Sequence, residues 1–116
     1  MLKDKNIYSV FIQPSTRKIN KYMVIFYNKD KKKIKTIHFG AKGYRDFTLI
    51  NKKNSEFYID DEEKRDEVKK LYIVRHQRRE NWALPDNAGS LSRWVLWNKP
   101  DINNSFLDYK KRFNLK

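Results

Sequence analysis

Tyr22-Met23-Val24-Ile25-Phe26-Tyr27-Asn28-Lys29-Asp30-Lys31-Lys32-Lys33-Ile34-Lys35-Thr36-Ile37-His38-Phe39 reads as two strands and the turn that joins them. Residues 22–27 are almost continuously apolar and rich in β-formers, the mark of a central strand. Asn28-Lys29-Asp30-Lys31 is a polar turn. Residues 33–39 alternate, with Ile34, Thr36 and His38 on one face and Lys33, Lys35, Ile37 and Phe39 on the other. Upstream, Ile7-Tyr8-Ser9-Val10-Phe11-Ile12 is a further strand that ends at Pro14, and residues 15–20 form the turn out of it. Short links between three strands predict an antiparallel meander. Leu49-Ile50 extends a strand, and residues 51–54 form a loop.

Beyond residue 59 the period changes. Asp60-Asp61-Glu62-Glu63 opens a helix, with Asp60 as N-cap and Glu63 as its capping-box partner. An acidic start and Arg75, Arg78 and Arg79 near the end both suit the macrodipole. The helix is predicted over about 61–80, with Val68, Leu71, Tyr72 and Arg75 on one face. A short aromatic helix covers Ala88 to Trp97 and is stopped by Asn98-Lys99-Pro100. A last helix aligns Ile102, Phe106, Tyr109 and Phe113. Strands followed by helices give an α+β fold: an N-terminal antiparallel sheet of three to four strands packed on two to three C-terminal helices. Residues 1–116 form a single domain, with a basic β-meander region over 1–50 and a helical region over 60–116.

The chain carries 27 Lys+Arg against 14 Asp+Glu, net +13. Residues 1–59 hold 14 basic and 4 acidic side chains, residues 60–116 hold 13 and 10, so the first half is expected to present the charged face. Such an excess creates a field that a polyanion answers. Lysine outnumbers arginine 19 to 8 and there are 11 asparagines, a bias that an AT-rich genome also produces. Seven Phe, seven Tyr and three Trp supply enough area for a core. Absence of cysteine excludes disulfides and thiol chemistry. No apolar run reaches the roughly 18 residues of a membrane span. The opening Met1-Leu2-Lys3-Asp4-Lys5-Asn6 lacks a signal-peptide core, so secretion is not expected.

Three constellations look chosen. In His38-Phe39-Gly40 … Gly43-Tyr44-Arg45-Asp46-Phe47-Thr48 the glycines either admit a ligand to the backbone or shape a bend that Asp46 caps, with Phe39 and Phe47 in the core. The spacing is not that of a phosphate loop. In Tyr72-Ile73-Val74-Arg75-His76-Gln77-Arg78-Arg79-Glu80-Asn81-Trp82 the arginine forks suit phosphates. Arg75 is expected to pair with Asp46, Glu80 or Asp86, and Arg78 to stay on the surface. His76 and Glu80, four apart, could share a metal with His38 and Asp46, although no His-Glu-x-x-His is present. In Ala88-Gly89-Ser90-Leu91-Ser92-Arg93-Trp94-Val95-Leu96-Trp97-Asn98 two tryptophans three apart point to core packing, with a base-stacking platform as the alternative.

Taken together, His-Phe-Gly, Gly-Tyr-x-Asp-Phe-Thr, Tyr-Ile-x-Arg-His, Glu-Asn-Trp, Ala-Gly-x-Leu-Ser-Arg-Trp-x-Leu-Trp-Asn and a closing Arg-Phe resemble a small uncharacterised domain family of large nucleocytoplasmic DNA viruses of eukaryotes, over about His38 to Phe113. The resemblance implies a viral origin and a virion-associated, DNA-binding role; it carries no catalytic residues.

The function expected is therefore that of a non-enzymatic nucleic-acid-binding protein of a large DNA virus. It would hold DNA through its phosphates without strong sequence specificity. Its predicted contacts are Lys31, Lys32, Lys33 and Lys35 on the sheet, Lys42 and Arg45 in the glycine loop, and Arg78 and Arg79 on the helix. Lysines on an exposed strand also block edge-to-edge aggregation. No cofactor or metal is indicated. The expected setting is the virion and the host cytoplasm or viral factory, with other virion proteins as further partners. Two other readings are a minor capsid or core component, and a small metal-dependent nuclease using His38, Asp46, His76 and Glu80.

Overall fold

A computed structural model describes residues 6–116; the opening segment read for a signal peptide lies outside them up to Lys5. Strands β1 (Ser9–Pro14), β2 (Asn20–Tyr27) and β3 (Lys33–Ala41) form one antiparallel sheet in the order β1-β2-β3. Helices α1 (Phe47–Ile50), α2 (Glu62–His76), α3 (Ala88–Leu91) and α4 (Ile102–Arg112) follow, with a π-helical segment at Ser92–Leu96 continuing α3. The α+β architecture and the central place of β2 are as the sequence predicts.

Register explains why residues 22–27 of β2 are apolar on both faces. The rungs Val10–Phe26–Lys35, Ile12–Val24–Ile37 and Pro14–Tyr22–Phe39 turn toward the helices, while Phe11–Ile25–Thr36 and Gln13–Met23–His38 turn outward. Val24, Phe26 and Phe39 are sealed into the core with Leu91, Val95, Leu96 and Tyr109. Each such fully buried apolar side chain contributes roughly 1.5–3 kcal/mol. Met23 and Ile25 are buried on the opposite face, apart from that cluster, and the Met23 sulfur accepts from Gln13 and Thr16. A register shift at Phe26/Tyr27 breaks the alternation of β3. Ile34, expected beside Thr36 and His38, consequently packs against the core cluster.

Three local expectations are corrected. Leu49-Ile50 belongs to α1, not to a strand. Asp46 caps that helix by accepting from the Leu49 amide at 3.0 Å. The N-cap of α2 is Asp61, which accepts from the amides of Glu63 and Lys64, while Asp60 accepts instead from the Tyr58 hydroxyl. The buried stripe of α2 is also rotated. Tyr72 is buried and Val68 and Ile73 pack on the core, but Leu71 and Val74 are exposed. Lys69 takes the inward place, its ammonium 4.5 Å from the centre of the Phe47 ring and donating to the Asn98 carbonyl at 2.6 Å.

Candidate nucleic-acid interface and the adjoining cleft

At the end of the sheet where β2 begins and β3 ends, two loops are tied together. The Lys42 amide donates to the Ile19 carbonyl at 3.0 Å. Lys21 reaches from β2 and donates to the Tyr44 carbonyl at 2.6 Å and to Asp46 at 2.7 Å. Gly40 and Gly43 take φ of 76° and 85°, a left-handed backbone that other residues rarely adopt. The result is a tip where Tyr44 (70 % exposed) and Ile19 (74 % exposed) stand out. Exposed Arg17, Lys18, Lys42 and Arg45 surround them.

Behind the tip lies a cleft of about 330 Å³. It is lined by Lys21, Gly40, Ala41, Tyr44, Arg45 and Asp46 from the sheet side, by Tyr72, Arg75, His76 and Glu80 from α2 and its exit, and by Ser92, Leu96 and Trp97 from the π-helical segment. All three sequence constellations therefore meet at one place. A Cβ on Gly40 would stand 2.8 Å from Leu96 Cδ1 and 3.3 Å from Lys21, so this backbone can approach the wall only as glycine.

The wall carries two ordered pairs. Lys21 and Asp46 form an ion pair with both side chains largely shielded, and Asp46 also accepts from the Thr48 hydroxyl. His76 Nδ1 meets Glu80 Oε2 at 2.7 Å, and Trp82 Nε1 donates to Glu80 Oε1 at 2.8 Å. Tyr72 stacks on His76 on one side and on Trp97 on the other, with ring centres 4.3 and 4.4 Å apart. Burial, and then the Glu80 carboxylate, push the Tyr72 phenol well above its ordinary range.

Arg75 is not paired as expected. Asp46 holds Lys21, Asp86 holds Lys35 at 2.9 Å, and Glu80 holds His76 and Trp82. Arg75 is exposed at the cleft mouth, and with Arg78 and Arg79 it lines a second hollow at the end of α2. Among the described residues only Lys21, Lys35 and Arg112 of the Lys and Arg side chains form ion pairs.

The predicted contacts fall into two groups. Lys42, Arg45, Arg78 and Arg79 are exposed around the tip and the end of α2. Lys31, Lys32 and Lys33 are exposed at the β2–β3 turn, the far end of nine-residue β3, roughly 26 Å away at about 3.3 Å per residue. Lys35 faces the helical layer and its ammonium meets Asp86. Lys21 and Tyr44 were not singled out by sequence. Lys21 pairs across 25 residues, a separation that leaves no local signal.

The four residues offered for a metal do not gather. His38 lies on the outer face with its Nδ1 2.7 Å from Ser15 Oγ, and among the described residues no group of three His, Asp or Glu could hold an ion. The tryptophans of the third constellation divide. Trp97 is buried on Tyr72. Trp94 is half-buried between the guanidiniums of Arg93 and Arg112, 4.3 and 3.7 Å from its ring centre. No described helix is long and apolar enough to cross a membrane.

A family model described as "Family of unknown function (DUF5754)" matches residues 10–54. The match spans the sheet and α1 and so takes in residues 10–37, where the sequence offered no motif beyond a strand pattern. No curated protein and no solved structure matches the chain.

Proposed function

We propose that the protein binds nucleic acid, DNA first of all, as a non-enzymatic component that accompanies or acts on the genome of a large DNA virus. The observation that carries this reading is the tip. An aromatic ring 70 % exposed sits among Arg17, Lys18, Lys42 and Arg45, none of which forms an ion pair among the described residues. Cations without ionic partners neutralise phosphates and release counterions. An exposed ring among them offers a face on which an unpaired base can stack, at about 1–3 kcal/mol per base. The tip therefore favours single strands over duplex, while the Lys31–Lys33 turn adds charge at a distance.

The test is a parallel salt titration of binding to single-stranded DNA, duplex DNA and heparin, with the native protein and with Tyr44→Ala. The expected result is a preference for the single strand that Tyr44→Ala removes. Equal affinity for all three, unmoved by the substitution, would reduce the protein to a general polycation.

A further inference from the structure

The tip does not account for the cleft behind it. Three separate segments converge there to orient a single imidazole. Glu80 turns back beyond α2 and engages His76 through one oxygen and Trp82 through the other. Gly89 leaves room for that carboxylate, since a Cβ there would stand 2.9 Å from Glu80 Oε1. Tyr72 fixes the ring plane by stacking. A surface histidine needs none of this. With Nδ1 engaged by Glu80, Nε2 is the nitrogen left to a ligand.

The charges lining the cleft point to the ligand's chemistry. Lys21 and Asp46 cancel one another at 2.7 Å, and a protonated His76 is matched by Glu80. Two guanidiniums, Arg45 and Arg75, are left lining the cleft with no ionic partner. Arg forks bind phosphate oxygens bidentately, and two surplus positive charges match a dianion. Its volume of about 330 Å³ lies at the lower end of ligand-sized clefts, about 300–1,000 Å³. Leu96 and Trp97 add an apolar wall.

We infer that this cleft binds a phosphate monoester, held by Arg45 and Arg75 with His76 Nε2 donating to a third oxygen. Two sources share that chemistry: the phosphorylated end of a nucleic-acid strand, and a free nucleoside monophosphate. The first rests on the nucleic-acid reading; the second does not.

The experiment is calorimetric titration of the full chain at low salt with a nucleoside 5′-monophosphate, and with 5′-phosphorylated and 5′-hydroxyl oligonucleotides of one sequence. Site occupancy by a strand end predicts at least tenfold tighter binding of the phosphorylated oligonucleotide. Occupancy by a small ligand predicts saturable one-to-one binding of the monophosphate. Arg75→Gln, at an exposed position, should lower the phosphate-dependent affinity at least tenfold, and His76→Gln should lower it too. Lys111→Gln, which removes the same charge from α4, should leave it unchanged. Equal affinity for the two oligonucleotides with no saturable monophosphate binding overturns the inference and leaves the nucleic-acid reading standing. Monophosphate binding with no affinity for either oligonucleotide does the reverse. A preference that Lys111→Gln erodes as much as Arg75→Gln also overturns it, because net charge alone would then explain the effect.

Discussion

Lys21 and Asp46 meet at 2.7 Å across 25 residues of chain, joining the start of β2 to the cap of α1. Asp46 is 1 % exposed and serves three donors there: the ammonium, the Thr48 hydroxyl and the Leu49 amide. One side chain thereby sets both the loop that carries Tyr44 and the first helical turn.

Asp46→Ala strands a shielded ammonium and removes a cap. Breaking a buried pair from one side costs about 3–5 kcal/mol. A loss near the lower figure is expected in urea denaturation, because Lys21 keeps the Tyr44 carbonyl as acceptor. A loss below about 1 kcal/mol, the range of surface pairs, would show that the contact is not structural.

His38 titrates below its ordinary value. Partial loss of water around the ring is the larger cause, and the Arg17 guanidinium adds to it. A depressed pKa means that the unfolded chain takes up the proton first. The associated stability is present above about pH 6.5, the unfolded value, and is lost as pH falls through the folded value. With only two histidines in the chain, proton NMR resolves both rings. Arg17→Gln should move the His38 midpoint upward and leave that of His76 in place; an unmoved His38 would remove Arg17 as a cause.

Alkali should act in the opposite direction. Burial is the main cause that raises the phenols of Tyr72 and Tyr109, with Glu80 adding to the first and Asp86 to the second. Their contribution is complete below about pH 10 and is lost as pH climbs through the higher folded values. Phenolate absorbance should therefore show tyrosines that ionise only when the fold opens, late and together. Independent titration of all seven near the ordinary value would be the contrary result.

Gly89→Ala sets two effects against each other. Alanine in a helix is favoured over glycine by about 0.8–1.0 kcal/mol, yet here the new methyl would push on a carboxylate held by His76 and Trp82. Displacement of Glu80 should win. The His76 resonance and Trp82 fluorescence should both shift, with no gain in stability. A stabilised variant with both signals unchanged would mean that the carboxylate is not held in place.

The sheet was legible because the apolar run at residues 22–27 of β2 and its alternating flanks admit few other structures. The face of α2 was not. Leu71 and Val74 look like core residues, whereas the inward stripe uses the stem of Lys69 and the ring of His76, whose polar ends find partners at the rim. The α1 turn was missed because Phe-Thr-Leu-Ile suits a strand equally well; only the cap at Asp46 separates the two. The three constellations of the candidate site were each visible as segments, but their convergence depends on the tertiary fold.

The wider winding at Ser92–Leu96, closed by the Trp97 amide donating to the Ser92 carbonyl at 3.0 Å, fits one residue more into the turn than an α-helix would. Trp94 and Trp97, which lie close to one side of an ordinary helix, are thereby parted, one toward the arginines and one toward Tyr72. A single-residue deletion within this turn would rewind the segment as regular helix and swing one indole off its support. The chain should thus tolerate many substitutions here more readily than any change in length.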